Sequence, residues 1–346
     1  MKKFSANMNQ TIGRLFFSIF LLVLSSSLVG CNDDDDDDDL GNWLDVVDFE
    51  GQRRAGSVSF IIGSTAFVGL GYDGDDYFTD MYSFNVDKGY WEDVKDFPGT
   101  PRENAVAFSI GDKGYVGLGY NRDQDKEELK DFWEYNSSTN TWRQLNDFPS
   151  ARYGAVAFSL GNNGYVGTGN DGDYYHSDFY KYLPDSDTWE EIRSYPGGKR
   201  EDAIAVSLDG KAYVFSGRNN GSYRFDIWEY TPESNSWKDL TPDDDEDYYD
   251  DFTAAIQRHQ AVGFGYQGRV FITTGLNGSA TTNSTYEFTP STGGWDKKTS
   301  FEASGRNRAV CFVLSGRIFV TTGQNGSSYW DNMSEFRPDD EYDDED

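Results

Sequence analysis

Cysteine is almost missing from this chain. Cys31 and Cys311 are the only two in 346 residues, and they stand in unlike surroundings, which excludes a disulfide framework. Histidine is as scarce, with His176 and His259 alone. Basic residues number 30 against 60 acidic ones, for a net charge of −30, and such a surface repels nucleic acid and anionic lipid headgroups. Three runs, Asp33–Asp39, Asp243–Asp251 and Asp339–Asp346, contribute seven negative charges each, so much of that charge is local. The apolar run Leu15–Leu28 is short for a membrane span and holds four serines. Beyond residue 30 no stretch keeps a helical period.

Glycine and aromatic residues fill the space left by these absences. There are 37 glycines, and 16% of the chain is Phe, Trp or Tyr, a composition suited to strands, tight turns and stacked sheets. The stretch Arg152–Trp189 holds four short apolar or aromatic runs, each ended by Gly, Asn or Asp, and reads as four antiparallel strands. One such sheet cannot bury both faces and needs neighbours. The chain repeats the unit six times, opening at Arg54, Arg102, Arg152, Arg200, Arg258 and Arg306. The second strand of each ends at Gly71, Gly119, Gly169, Gly217, Gly275 or Gly323, where backbone needs left-handed φ or close approach. The third carries Phe84, Tyr135, Tyr182, Tyr230, Phe288 or Phe336.

Seven residues after the first five of those aromatics stands a tryptophan: Trp91, Trp142, Trp189, Trp237 and Trp295. The sixth unit has none, whereas Trp43 precedes the first unit with no repeat before it. The pattern predicts an all-β, six-bladed β-propeller over 43–338, closed by the N-terminal strand completing the last blade. The glycine-ended strand, the aromatic and the spaced tryptophan resemble the kelch repeat. The first three units carry Gly-Leu-Gly or Gly-Thr-Gly in place of the kelch double glycine, and the last three carry Ser-Gly or Thr-Gly. Cys311, in the apolar run AVCFVL, reads as an inert buried thiol.

Residues 1–30, with Lys2, Lys3 and Arg14 ahead of the apolar run, read as a secretion signal. Leu28-Val29-Gly30-Cys31 resembles the bacterial lipobox, which implies acylation of Cys31. Residues 31–42 then form an acidic tether, and an acidic run in that place resembles the surface-export signal of Bacteroidetes lipoproteins. The resemblance implies a protein held by its lipid on the outer membrane and exposed at the cell surface, and a monomer is expected. The insertion 241–252 and the tail 339–346 read as solvated acidic segments, the tail as disordered.

In a propeller the loops between strands two and three share a face with the loops between blades, and kelch proteins bind at that mouth. Side chains that differ at equivalent places there are free to serve a ligand. One position after the arginines come Ala55, Glu103, Tyr153, Glu201, His259 and Asn307. Two positions after come Gly56, Asn104, Gly154, Asp202, Gln260 and Arg308, and after the glycines Tyr72, Tyr120, Asn170, Arg218, Leu276 and Gln324. Arg102 and Arg200, with the other unit-opening arginines, either pair with Asp80, Asp131, Asp178 or Asp226 within a blade or ring the channel to receive anions.

Tyr72, Tyr120, Tyr153, Asn170, Arg218, Asn307, Arg308 and Gln324 make a rim suited to sugars, with rings for the apolar face and amides for adjacent hydroxyls. The reading is a binding protein for a glycan or a partner protein. The alternative is a sialic-acid mutarotase-type sugar epimerase, an activity that some bacterial kelch propellers have, with Glu103, Glu201 and His259 as acid and base. A galactose-oxidase-like copper centre lacks its histidines here. The loops holding Asp73 and Asp75, and Asp171 and Asp173, are oxygen-rich in the manner of calcium sites but lack a twelve-residue ligand spacing.

Overall fold

Val58–Ile62, Thr65–Gly69, Met81–Asn85 and Tyr90–Asp93 pair antiparallel in that order and form the first blade. The computed structural model describes residues 40–343. Five further four-stranded sheets repeat the arrangement. In the last, the order is Asn42–Asp45, Met333–Arg337, Arg317–Thr321, Val310–Leu314, so the first strand of the described residues is the outer strand of the sixth blade. Small residues on the innermost strands, among them Ala105, Ala107, Ala155 and Ala157, line a narrow central channel.

The repeated tryptophans are cross-strand partners of the repeated aromatics. Phe84 pairs with Trp91, Tyr135 with Trp142, Tyr182 with Trp189, Tyr230 with Trp237 and Phe288 with Trp295. Trp43 takes the same place opposite Phe336. Ring pairs of this kind add to what burial alone contributes. The second repeat glycines all have left-handed φ, from +82° at Gly217 to +104° at Gly323, as the spacing requires. Where the first glycine survives, as in Gly117 and Gly167, it lies opposite the rings of Phe132 and Phe179. Gly69 survives opposite Met81, and where the first glycine is lost Phe215 and Thr321 face Ile227 and Met333.

The six unit-opening arginines are buried inside the blades. Arg102 donates through Nη1 to the Leu118 carbonyl (3.0 Å) and to Asp131 (2.6 Å), and through Nη2 to Asp131 again (2.8 Å). Arg54, Arg152 and Arg200 are bidentate in the same way to Asp80, Asp178 and Asp226. Pairing within the blade therefore holds, and Arg102 and Arg200 are blade clamps and not the ligand-binding residues expected at the rim, their donors being spent on carboxylates and carbonyls.

Two further expectations change. The acidic insertion runs into a helix, Tyr249–Ile256, which buries Phe252, Ala255 and Ile256 against the fifth blade, with Phe252 5.6 Å from Trp295. Apolar residues at a helical spacing are too few there to show a period. The tail is ordered at its start: Asp339 pairs with both Nη atoms of Arg269 (2.8 and 3.0 Å), and Gly41 donates to the Asp340 carbonyl (2.8 Å). Cys311 lies on the channel, its thiol 3.3 Å from the Gly263 carbonyl, and burial pushes its pKa up to about 12. The leader, Cys31 and the aspartate run lie outside the described residues.

Candidate functional site

Two positions after each blade arginine the backbone turns into the left-handed region, at Gly56, Asn104, Gly154, Asp202, Gln260 and Arg308 (φ from +51° to +66°). These six residues hydrogen-bond to one another in a closed circle about the channel. Asn104 N–H donates to Gly56 O (2.9 Å), Gly154 to Asn104 (3.4 Å), Asp202 to Gly154 (2.8 Å), Gln260 to Asp202 (3.2 Å), Arg308 to Gln260 (2.9 Å) and Gly56 to Arg308 (2.9 Å). Glycine adopts this backbone freely; Gln260 and Arg308 hold it at a cost. Their side chains are placed where a glycine would make the same turn.

The other two variable sets form one outer tier. Backbone bridges join Ala55 to Tyr72, Glu103 to Tyr120, Tyr153 to Asn170, Glu201 to Arg218, His259 to Leu276 and Asn307 to Gln324. Over blades two to four this tier walls a cavity of about 400 Å³. Glu103, Tyr120, Tyr153, Glu201, Arg218 and Arg308 of the nominated residues line it.

Both guanidiniums in the cavity are engaged by carboxyl groups. Arg308 Nη1 donates to Glu103 Oε2 at 2.9 Å, from the sixth blade to the second, across Gly56. A Cβ at Gly56 would stand 3.0 Å from that of Glu103, a tight contact that glycine avoids. Arg218 Nε donates to Glu201 Oε1 (3.1 Å), and Asn170 Nδ2 to Glu201 Oε2 (3.2 Å). Asp202, with its side chain 7% exposed, accepts from Gln260 Nε2 at 3.0 Å and lies 3.6 Å from both Arg218 Nη2 and His259 Nδ1.

Burial raises the pKa of Glu103, with Asp202 adding to the effect and Arg308 opposing it. Glu201 is raised by burial and by Asp202, against Arg218 and Asn170. Burial acts on Asp202 in the same sense, but His259, Arg308 and Arg218 outweigh it and bring the carboxyl below its usual range. The Tyr153 hydroxyl is pushed up to about 12 by burial and by Glu201. Tyr120 and Tyr153 meet edge to face at 5.3 Å.

Not every nominated residue reaches the cavity. His259 is buried behind it, between Asp202 and Arg218 Nη1 (3.5 Å). Asn170 supports Glu201 from beneath. Tyr72 is held under Arg122 and packs on Tyr77 at 4.4 Å. Asn307 is buried and donates to the Gln324 carbonyl (3.1 Å), so this pair closes the opposite side of the mouth. Asp73 and Asp171 are engaged as turn acceptors: Asp73 Oδ1 takes the N–H groups of Asp75 and Asp76, and Asp171 Oδ1 those of Asp173 and Tyr174. Among the described residues no three His, Cys, Asp or Glu side chains gather as a metal site. Glu127 and Glu128, which line the cavity from the loop of the second blade, went unnominated. The extra length of that loop was the one sequence signal for them.

Residues 44–199 match the family model described as the KLHDC2/KLHL20/DRC7 Kelch-repeats domain, and residues 199–244 match the Kelch motif. No curated protein matches the chain. A solved structure of YjhT is similar with a TM-score of 0.71 at 17% identity, over 83% of this chain and 95% of that one. At that identity the likeness speaks to fold alone.

Proposed function

We propose that this kelch-type six-bladed propeller carries at its mouth a proton-transfer site for a small sugar, opening and reclosing the sugar ring in the manner of a mutarotase. One observation carries the reading: two buried carboxyl groups with raised pKa, Glu103 and Glu201, face a single cavity of about 400 Å³ beside two tyrosine rings. Buried acids with raised pKa in a cleft are a mark of acid–base sites.

Glu201 is the base. Both its oxygens accept from neighbouring donors, which hold it ionised and fixed in orientation. It takes the proton of the anomeric hydroxyl. Glu103, with a single donor, is the acid and protonates the ring oxygen as the bond from that oxygen to the anomeric carbon breaks. The open-chain carbonyl rotates, and reversal of both transfers closes the ring on its other face. Asp202 stays ionised and steadies His259 and Arg218, which makes His259 a positioning residue.

Formal charge favours an uncharged sugar. With Glu103 protonated, Glu127, Glu128, Glu201 and Asp202 still face only Arg218 and Arg308, the first engaged by Glu201 and the second by the Glu103 carboxyl oxygen. A carboxylate-bearing sugar such as sialic acid enters by drawing Arg308 off Glu103. The anomer exchange of freshly dissolved sugars, followed by NMR with and without protein, tests the activity. Binding without faster exchange would return the site to the simpler role of a glycan-binding mouth.

The address remains part of the proposal. The lipobox-like Leu28–Cys31 and the aspartates after it support a lipid-anchored protein at the outer surface. Metabolic labelling with a tritiated fatty acid, lost in Cys31→Ser, together with protease accessibility on whole cells, tests it.

A further inference from the structure

The sixth blade breaks a rule kept by the other five. Two residues beyond the position that receives each blade arginine stands an aromatic: Tyr82, Trp133, Tyr180, Trp228 and Tyr286. The first four pack on the ring that precedes the arginine, with centroids 5.1 Å apart for Phe49 and Tyr82, 5.8 Å for Phe97 and Trp133, 5.1 Å for Phe148 and Tyr180, and 6.4 Å for Tyr195 and Trp228. Trp133 also donates to the arginine's own partner, Asp131 (2.7 Å). In the sixth blade the aromatic is Ser334 and the carboxylate is Asn332.

The chain hardly refills the space. Ala303 adds one methyl where the first two blades have Gly51 and Gly99, at which a Cβ would come within 2.8 Å of Tyr82 and 3.0 Å of Trp133. A cavity of about 560 Å³ is left, lined by Trp43, Trp330, Arg306 and Ser334 inside and by Asp45, Asp48 and Glu302 at the rim. Ser334 is 2% exposed, and its hydroxyl has no partner within the protein.

The fifth blade shows what compensation looks like. It too lacks the carboxylate, having Ser284, but it keeps Tyr286. Its helix brings the Ala254 carbonyl to Arg258 Nη2 at 3.2 Å. Arg306 has its own acceptors, the Ser304 and Thr322 carbonyls and Asn332 Oδ1 (3.1, 3.0 and 2.9 Å). Its guanidinium lies 4.9 Å from the Phe301 ring and 5.6 Å from Trp330, but no helix or repeat aromatic fills the space beside it.

We propose that this cavity is a second binding site, for a small aromatic amine. The ligand ring takes the room of the missing repeat aromatic, among Trp43, Trp330 and the Arg306 guanidinium, which favours the face of a ring. The protonated amine faces outward to Asp45 and Asp48. Of the two guanidiniums at the cavity, Arg53 is engaged by Asp331 at 3.2 Å and Arg306 by two carbonyls and Asn332, which leaves Asp45 and Asp48 to set the sign at the rim. An anionic aromatic meets those carboxylates and is refused.

Calorimetry on the full chain with tryptamine, indole and indole-3-acetate tests the site. Tryptamine should bind more tightly than indole by about tenfold, the worth of one charge-assisted contact, and indole-3-acetate weakest of the three. Ser334→Trp, which restores a residue type the other blades hold there, should abolish binding and keep or raise Tm. Should that variant misfold, Asp45→Asn with Asp48→Asn should bring tryptamine down to the level of indole. Equal or tighter binding of indole-3-acetate overturns the proposal, as does tryptamine binding that survives both variants or no binding at millimolar concentration.

Discussion

Trp43 lies on Phe336 with ring centroids 4.4 Å apart and planes at 26°, and its indole N–H donates to the Thr299 carbonyl at 3.2 Å. One side chain thus joins the start of the domain to its last strand and to the loop from the fifth blade. Trp43→Ala should cost about 3–5 kcal/mol, the range for removing a buried tryptophan. The urea midpoint measures it. A midpoint unchanged from wild type would show that closure does not depend on this strand.

The two mouth glutamates should give a bell-shaped pH dependence of anomer exchange. Glu103 acts protonated, so the rate falls as pH rises through its raised pKa. Glu201 acts ionised, so the rate falls as pH drops through its own. Each of Glu103→Gln and Glu201→Gln should slow exchange by about a hundredfold or more and remove one limb of the bell. A rate that keeps both limbs in either variant would take that residue out of the chemistry.

Arg308 should separate sugar classes. Its pairing with Glu103 must open for an acidic sugar and can stay closed for a neutral one. Arg308→Gln should therefore depress exchange of sialic acid far more than that of a neutral hexose. Raised salt should weaken the acidic sugar selectively through screening. Equal losses for both sugars would assign Arg308 to the fold of the mouth.

The blade clamps predict acid lability. Burial opposes ionisation of Asp131, but Arg102 and the Trp133 N–H outweigh it and hold its pKa below the usual carboxylate range. A folded pKa below the unfolded one stabilises the protein above the unfolded value, and this contribution is lost as pH falls through the folded value. Asp131→Asn, which keeps one acceptor as Asn332 does for Arg306, should cost about 1–3 kcal/mol at neutral pH. Acid titration of Tm should be flatter in that variant; a slope equal to wild type would discount the clamp.

The arginines show how far the sequence could be read. Their sixfold recurrence was visible, but identical residues at identical places serve a blade and a channel ring equally well on paper. The direction of the side chain decided, since each guanidinium finds a carbonyl sixteen residues on inside its own blade. The variable positions around them did name Glu103, Glu201, Arg218 and Arg308. They did not tell that His259 sits behind the cavity or that Glu127 and Glu128 wall it.

Strand order, blade number and the Trp43 closure were written in the sequence, because each is a local period repeated six times and a strand pair follows from turns a few residues long. The Arg308–Glu103 contact, the circle of backbone bonds at the mouth and the open space beside Ser334 were settled by the tertiary structure alone. Each depends on residues brought together only when the ring closes, across distances over which side-chain periodicity carries no information.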